Sequence, residues 1–425
     1  MSKIVVIGGG LAGLSAAVYL SAEHQVLLLE SSPKLGGRTY SFVENKTGST
    51  IDNGQHLMMG CYKYTLDFLK QIESEKNIEV FENLDINFVK NDSTQYKLSS
   101  GNYFYPLNLL SSILNYSAVN LYDRISLIKF ILKIKFTKNS YLKNKTVKEW
   151  LLDKKQSNQS IISLWEILVI ATMNTTLEKA SALLFKIVLK EIFLGGKKSS
   201  NIILPRTGLS ELFCEPAKIF IEKNNCRILT SERVRRIEFD GDNAIKIIAN
   251  KNCYDDFDYV ISAVPFHALN NIQMNTSETN NYPRLEHSPI LNIFIWLDNN
   301  PFKERIYGLI DSPIHWIFNH GEYLSITISA ANEYMAMKED EILDFTYSQI
   351  EKYFPIFNRK FARYCKIIKE KRATFTPSIL SIDERQFFNS GFKNVVFAGD
   401  WTNTGLPSTI EGAVKSGFFA AKKIT

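Results

Sequence analysis

Short apolar runs and amphipathic stretches alternate along the chain, and their order predicts an α/β architecture. Residues 3–7, Lys-Ile-Val-Val-Ile, make a β-branched run of strand length. Residues 15–21 carry a helical pattern, and residues 25–30, Gln-Val-Leu-Leu-Leu-Glu, form a second apolar strand closed by an acid. Short strands recur at 227–230, 234–239, 244–249 and 259–264, then at 291–297 and 323–329. Helices are predicted near 338–353 and from about 409 to 422, and residues 61–200 are helix-rich. A strand-based unit that resumes after a long helical insertion follows from this order.

The turn between the first strand and first helix carries the chemistry. Gly8-Gly9-Gly10-Leu11-Ala12-Gly13 matches GxGxxG. Gly8 permits the tight turn, Gly10 lets the backbone approach a pyrophosphate, and Gly13 lets helix and strand pack closely. The helix N-terminus offers unpaired N–H groups to the anion. Glu30 lies 17 residues past Gly13, in place to accept hydrogen bonds from a ribose diol. Glycine clusters are common in ordinary turns. Here a preceding strand, a following helix, a second strand and a terminal acid coincide, which points to a dinucleotide. An acid at position 30 disfavours a 2′-phosphate, so the ligand is NAD-like or FAD-like.

Further motifs stand far from this turn. Ser31 to Thr39 contains Gly36-Gly37-Arg38, and Asp52-Asn53-Gly54-Gln55-His56 follows. Near the C-terminus a strand ends in Gly399-Asp400-Trp401, and Gly405 to Ala413 opens the last helix, with Ser408 or Thr409 as N-cap. Together these motifs resemble the FAD-dependent amine oxidase and carotenoid desaturase superfamily. The resemblance implies FAD as cofactor. It places Glu30 on the adenosine ribose, Gly37 and Arg38 at the diphosphate, and Val234 at the adenine through its backbone. Asp400 would bind the ribityl chain or diphosphate, and the helix terminus at Thr409 and Ile410 would face the flavin O2, where negative charge grows on reduction. Gly54 and Gly399 belong to the same cofactor surroundings. The implied fold is a Rossmann-like FAD-binding domain interleaved with an α+β substrate domain bearing a helical insertion. Residues 1–60, 201–265 and 371–425 form the first, 61–200 and 266–370 the second.

Softer similarities narrow the branch. The segment from Asp52 to Leu66, Leu204-Pro205-Arg206-Thr207-Gly208-Leu209-Ser210, Lys371-Arg372-Ala373-Thr374-Phe375 and Gly399 through Gly417 are similar to the squalene-associated members, the hydroxysqualene dehydroxylases. That resemblance implies reduction of hydroxysqualene to squalene in bacterial squalene and hopanoid synthesis. A carotene-type desaturase, with hydride moving the other way, is the alternative. An amine oxidase and a flavin-less lipid-binding escort stand behind it. A departing hydroxyl needs a general acid; His56 is the first candidate and Glu411 the second. No second GxGxxG occurs, so the electron donor is expected to be external.

Composition adds limits. The chain has 425 residues, 45% apolar and 22% charged, which rules out disorder, a collagen and a coiled-coil rod. Its 50 Lys+Arg against 44 Asp+Glu give a net charge of only +6. Yet 122–148 holds eight cations and one acid, a local +7. Within it Ile125, Ile128, Leu132 and Phe136 make one helical stripe, with Leu127, Phe130, Ile131 and Ile134 on the other side. A helix apolar on two faces with basic flanks fits an anionic bilayer rather than nucleic acid, so 105–138 is expected to touch the membrane. Five widely spaced cysteines without CxxC and six histidines without HExxH give no metal motif. Free thiols and the lack of an 18-residue apolar run suggest a cytoplasmic protein, peripheral on the inner face of the cytoplasmic membrane.

Overall fold

Five short apolar runs drawn from separate parts of the chain pair side by side. The structure is a computed structural model that describes residues 1–101, 103–274, 283–386 and 390–425. Its first sheet runs in the order Arg227–Leu229, Gln25–Leu29, Lys3–Ile7, Tyr259–Ser262, Val395–Phe397, with every neighbouring pair parallel. Parallel strands buried on both faces read as continuous apolar runs, and these do. The helix Leu11–Ser21 follows the first strand and is buried along nearly its whole circumference. It lies against the sheet on one side and the last helix, Ile410–Lys422, on the other.

Two glycines set those approaches. A Cβ on Gly13 would lie 1.9 Å from the carbonyl oxygen of Gly8. One on Gly417 would lie 2.2 Å from that of Ala12. Ser15 Oγ donates to the Val414 carbonyl at 2.8 Å, joining the two helices directly.

A second sheet has seven strands in the order Ala362–Phe375, His287–Leu297, Tyr323–Ser329, Trp316–Asn319, Ile306–Leu309, Asp85–Val89, Gln95–Ser99. The last two come from the segment expected to be helix-rich. Asp85–Val89 pairs in parallel with Ile306–Leu309, more than two hundred residues on, so no local pattern announces the partnership. Ala362–Phe375 is one continuous strand across the expected boundary at 370/371 and carries the chain back toward the first sheet. Residues 275–282, within the span expected for the substrate domain, lie outside the described residues.

The helical insertion has its own core. Phe130 meets Trp150 and Trp165 with ring centroids 4.7 and 4.8 Å apart. The helix Leu121–Lys133 is capped by Asn120, whose side chain accepts from the Asp123 amide. It buries Leu127, Phe130 and Ile131, and the short turn Ile134–Phe136 buries Ile134. The opposite face leaves Ile125, Leu132 and Phe136 in the open, Phe136 at 80% exposure, while Ile128, expected on the same stripe, is half-buried against the insertion core. Leu107, Leu114 and Leu121 extend this apolar surface. Three of the lysines are paired, Lys143 with Asp383, Lys145 with Asp153 and Lys148 with Glu178. Lys129, Lys133, Lys135 and Lys138 are exposed and make no ion pair among the described residues. The basic surface is therefore narrower than the sequence suggests and sits beside the exposed apolar stripe. No helix among the described residues is long and apolar enough to cross a membrane.

Candidate active site

The site begins where the first strand stops. Gly8 has φ +107°, a conformation open to glycine, and the chain turns there into the helix Leu11–Ser21. Gly10 caps that helix without a side-chain hydrogen bond, and the first turn holds no acid. Its amides are thus available to an anion. Gly36 and Gly37 come up against this turn: Gly36 N donates to the Gly9 carbonyl at 2.8 Å, and Gly37 has φ +59°. A Cβ on Gly10 would meet only the Gly37 Cα, at 4.0 Å. Two backbone segments without side chains therefore face each other at a helix N-terminus.

Glu30 is buried beside this cradle. Its Oε2 accepts from Gly9 N at 2.6 Å, and its Oε1 from Ser32 N at 2.6 Å and Ser31 Oγ at 3.1 Å. A carboxylate offers about four acceptor positions, so one remains for a diol. The Glu30 carbonyl accepts from Glu232 N at 2.8 Å, which brings the strand Val234–Asp240, and Val234 at its start, to the same edge. The cradle, the uncapped helix and the acid fit the diphosphate and ribose of FAD.

Arg38 and Asp400, 362 residues apart, meet each other. Arg38 Nη2 lies 2.6 Å from Asp400 Oδ1, and Nη1 donates to the Ala373 carbonyl at 2.8 Å. The sequence assigned them to the cofactor separately; the structure joins them. Ser408 donates its hydroxyl to the other Asp400 oxygen, leaving Thr409 as the cap of the last helix, where its Oγ1 accepts from Gly412 N at 3.0 Å. Ile410 opens that helix. Gly399, at φ +144°, donates its amide to Ser416 Oγ at 2.8 Å. Burial by itself would raise the Asp400 carboxyl, but Arg38, Ser408 and Arg385 outweigh it and hold it below the usual carboxylate range. Asp400→Ala is expected to remove the partner of Arg38, whose side chain is itself 38% exposed, and to cost roughly 1.5 kcal/mol of stability. A urea unfolding midpoint checks this, with the flavin-to-protein absorbance ratio expected to fall in the same sample.

Arg385 went unnoticed in the sequence. It is 2% exposed, and its guanidinium donates to the carbonyls of Trp401 and Thr402 and stacks over Phe375 at 4.7 Å. It fixes the loop that presents Asp400. An arginine in an ordinary amphipathic helix gives no sign of such a role, because every partner is set by the tertiary fold.

The predicted acids have different surroundings. His56 Nδ1 lies 2.7 Å from the Gly54 carbonyl, so Nδ1 is the donor, and Nε2 has no hydrogen-bond partner among the described residues. Gly54 packs against Asn292 of the second sheet, where a Cβ would come within 2.7 Å of the amide nitrogen. Burial lowers His56 below the usual imidazole value, and Asp52 opposes it. Asp52 bridges Ser41 Oγ at 2.7 Å and Leu209 N at 2.9 Å, ordering the loop. Glu411 is turned elsewhere. Its carboxylate accepts from Tyr64 N at 3.0 Å, Thr65 N at 2.9 Å and Thr65 Oγ1 at 2.7 Å, capping the helix Lys63–Gln71. Burial raises the Glu411 carboxyl, and those bonds oppose the rise.

The chain is similar to several known proteins. Hydroxysqualene dehydroxylase of Zymomonas mobilis is 26% identical over 99% of this chain and 98% of its own length. The 15-cis-phytoene desaturase of Glycine max is 23% identical over 99% of this chain and 79% of its own. Among solved structures, an oxidoreductase from Methanosarcina mazei superposes with a TM-score of 0.77 at 17% identity, covering 99% of this chain and all of that one. The model of the flavin containing amine oxidoreductases matches residues 11–425, so the chain belongs to that family and is an FAD-dependent oxidoreductase.

Proposed function

We propose that the protein is a hydroxysqualene dehydroxylase, reducing hydroxysqualene to squalene. The carrying observation is the end-to-end match to the Zymomonas mobilis protein of that name. The phytoene desaturase match has lower identity and covers less of its partner, so desaturation is the second reading. Dehydroxylation replaces a C–O bond with C–H: a hydride joins carbon, and the oxygen takes a proton and leaves as water. FAD, once reduced by an external donor, supplies the hydride. The chain holds the cofactor through Glu30, the glycine cradle and the Arg38–Asp400 pair, and must supply the proton. His56 is the candidate for that step, since the Glu411 acceptors are engaged in a helix cap. In this reading 1–60, 201–265 and 371–425 serve the cofactor, and 61–200 with 266–370 hold the substrate. Anaerobic incubation of the reduced flavoprotein with hydroxysqualene, and of the oxidised one with phytoene, tests the assignment. Squalene from the first and no product from the second is expected; desaturated phytoene and no squalene would reverse it.

A polyisoprenoid resides in lipid, so the protein must meet a bilayer. The exposed stripe of Ile125, Leu132 and Phe136 beside four unpaired lysines supports contact through 105–138, with lysine stems reaching past the apolar face to phosphate. Replacing Lys129, Lys133, Lys135 and Lys138 together by Gln is expected to weaken partitioning to anionic liposomes, by about 1 kcal/mol per lysine at low salt. Sedimentation with vesicles measures it; unchanged partitioning would remove the basic surface from the reading.

A further inference from the structure

The helical insertion, the loop 404–407 and the start of the last helix border an open cavity of about 330 Å³. Its apolar walls include Met59, Ile187, Val188, Ile192, Leu406 and Pro407, and Glu191 and Lys415 also line it. At one side stand Thr409 and Glu411, at the helix terminus expected to face the flavin. At another stands Lys63, which is exposed and so marks a rim. An apolar pocket with a few polar groups, reaching from a rim toward a cofactor site, has the character of a ligand site.

Its size and neighbours say which ligand. At roughly 30 Å³ for each group of water size, the cavity holds about eleven such groups. That is well short of a whole triterpene and matches one arm of it. Val188 and Ile192 pack with Cys61 into a small apolar cluster, with Met59, Tyr62 and Phe193 against it. All of Val188, Ile192 and Phe193 belong to one helix, Ala182–Leu194. The Phe193 carbonyl accepts from the Tyr105 hydroxyl at 3.0 Å. Tyr105 lies between the exposed side chains of Phe104 and Leu107, next to the surface read above as lipid-facing. One helix therefore joins the exposed apolar surface to the wall of the cavity.

We propose that this cavity receives one arm of the polyisoprenoid substrate, and that Val188 and Ile192 limit the length of chain it accepts. The proposal rests on the dehydroxylase reading for its substrate class, but it is tested by binding alone. The probe is squalene, presented in detergent micelles to the FAD-loaded protein and followed by equilibrium dialysis. Val188→Phe fills the cavity and is expected to weaken squalene binding roughly tenfold or more, while flavin content and spectrum stay as in the unaltered protein. Unchanged affinity would overturn the proposal. Should the larger side chain prevent folding, Val188→Ala enlarges the same wall. It is expected to shift preference toward a longer polyisoprenoid in competition with squalene, and an unaltered preference would equally overturn the proposal. Squalene binding that responds to Val188 in a protein that converts no hydroxysqualene would keep the cavity and discard the dehydroxylase assignment. Turnover of hydroxysqualene with binding insensitive to both variants would do the reverse.

Discussion

Gly13→Ala is expected to prevent stable folding, whereas Gly10→Ala, three residues away, is expected to fold and lose FAD. The added Cβ at Gly13 would lie 1.9 Å from the Gly8 carbonyl oxygen and 3.3 Å from the Ala263 Cβ. Neither neighbour is the end of a flexible side chain. The helix would have to move off the strand, taking the last helix with it through the Ala12–Gly417 contact. Overpacking of this kind costs about 1–3 kcal/mol where a core can relax, and more where the obstacle is backbone. At Gly10 the same methyl meets nothing nearer than 4.0 Å. In the proposed reading it would occupy the space beside Gly37 assigned to the cofactor diphosphate. Thermal melting by far-UV circular dichroism should therefore separate the variants, with a native-like transition for Gly10→Ala alone. The flavin absorbance of the purified proteins should be lost in both. A Gly10→Ala protein with full FAD content would remove the cradle from the cofactor site.

His56→Gln is expected to slow turnover roughly 10²-fold or more while leaving FAD bound, the usual scale for loss of a positioned general acid. Glutamine can still donate to the Gly54 carbonyl, so the loop between Asp52 and Met58 should keep its shape. The pH dependence carries the stronger test. Burial pushes His56 below the ordinary imidazole value, which favours the neutral ring, whose Nε2 has no proton to give. If the imidazolium is the acid, kcat/KM must rise as pH falls from neutral and level off under the His56 pKa. The glutamine variant should lose that limb. Single-turnover reoxidation of prereduced flavin by hydroxysqualene isolates the step from the external donor. An identical pH profile in both proteins would assign the proton to another group.

Much of this site is written in contiguous residues. The strand Lys3–Ile7, the turn through Gly13 and the acid at Glu30 were legible because each is a local requirement: a short buried strand, a left-handed turn, a close helix contact, an acceptor at the strand end. The two faces of Leu121–Lys133 were legible for the same reason, since helical periodicity places residues without help from the rest of the fold. The pairing of Arg38 with Asp400 was not. Each residue was recognised, but Arg38 follows the strand Gln25–Leu29 and Asp400 the strand Val395–Phe397, three places away in the sheet, so only the folded chain brings them together. Glu411 was read as a group at its own helix terminus; its partners are Tyr64 and Thr65, 347 and 346 residues earlier.

The sequence by itself therefore determined the cofactor turn, the family resemblance and the position of the basic, two-faced helix. These rest on backbone sterics and side-chain periodicity over a few residues. Only the tertiary structure decided that Arg38 and Asp400 neutralise each other, that Glu411 caps a distant helix, that Arg385 holds the Asp400 loop, and that Val188 and Ile192 border a cavity. Those outcomes depend on which charges and surfaces lose water together, and that is settled only when distant segments pack.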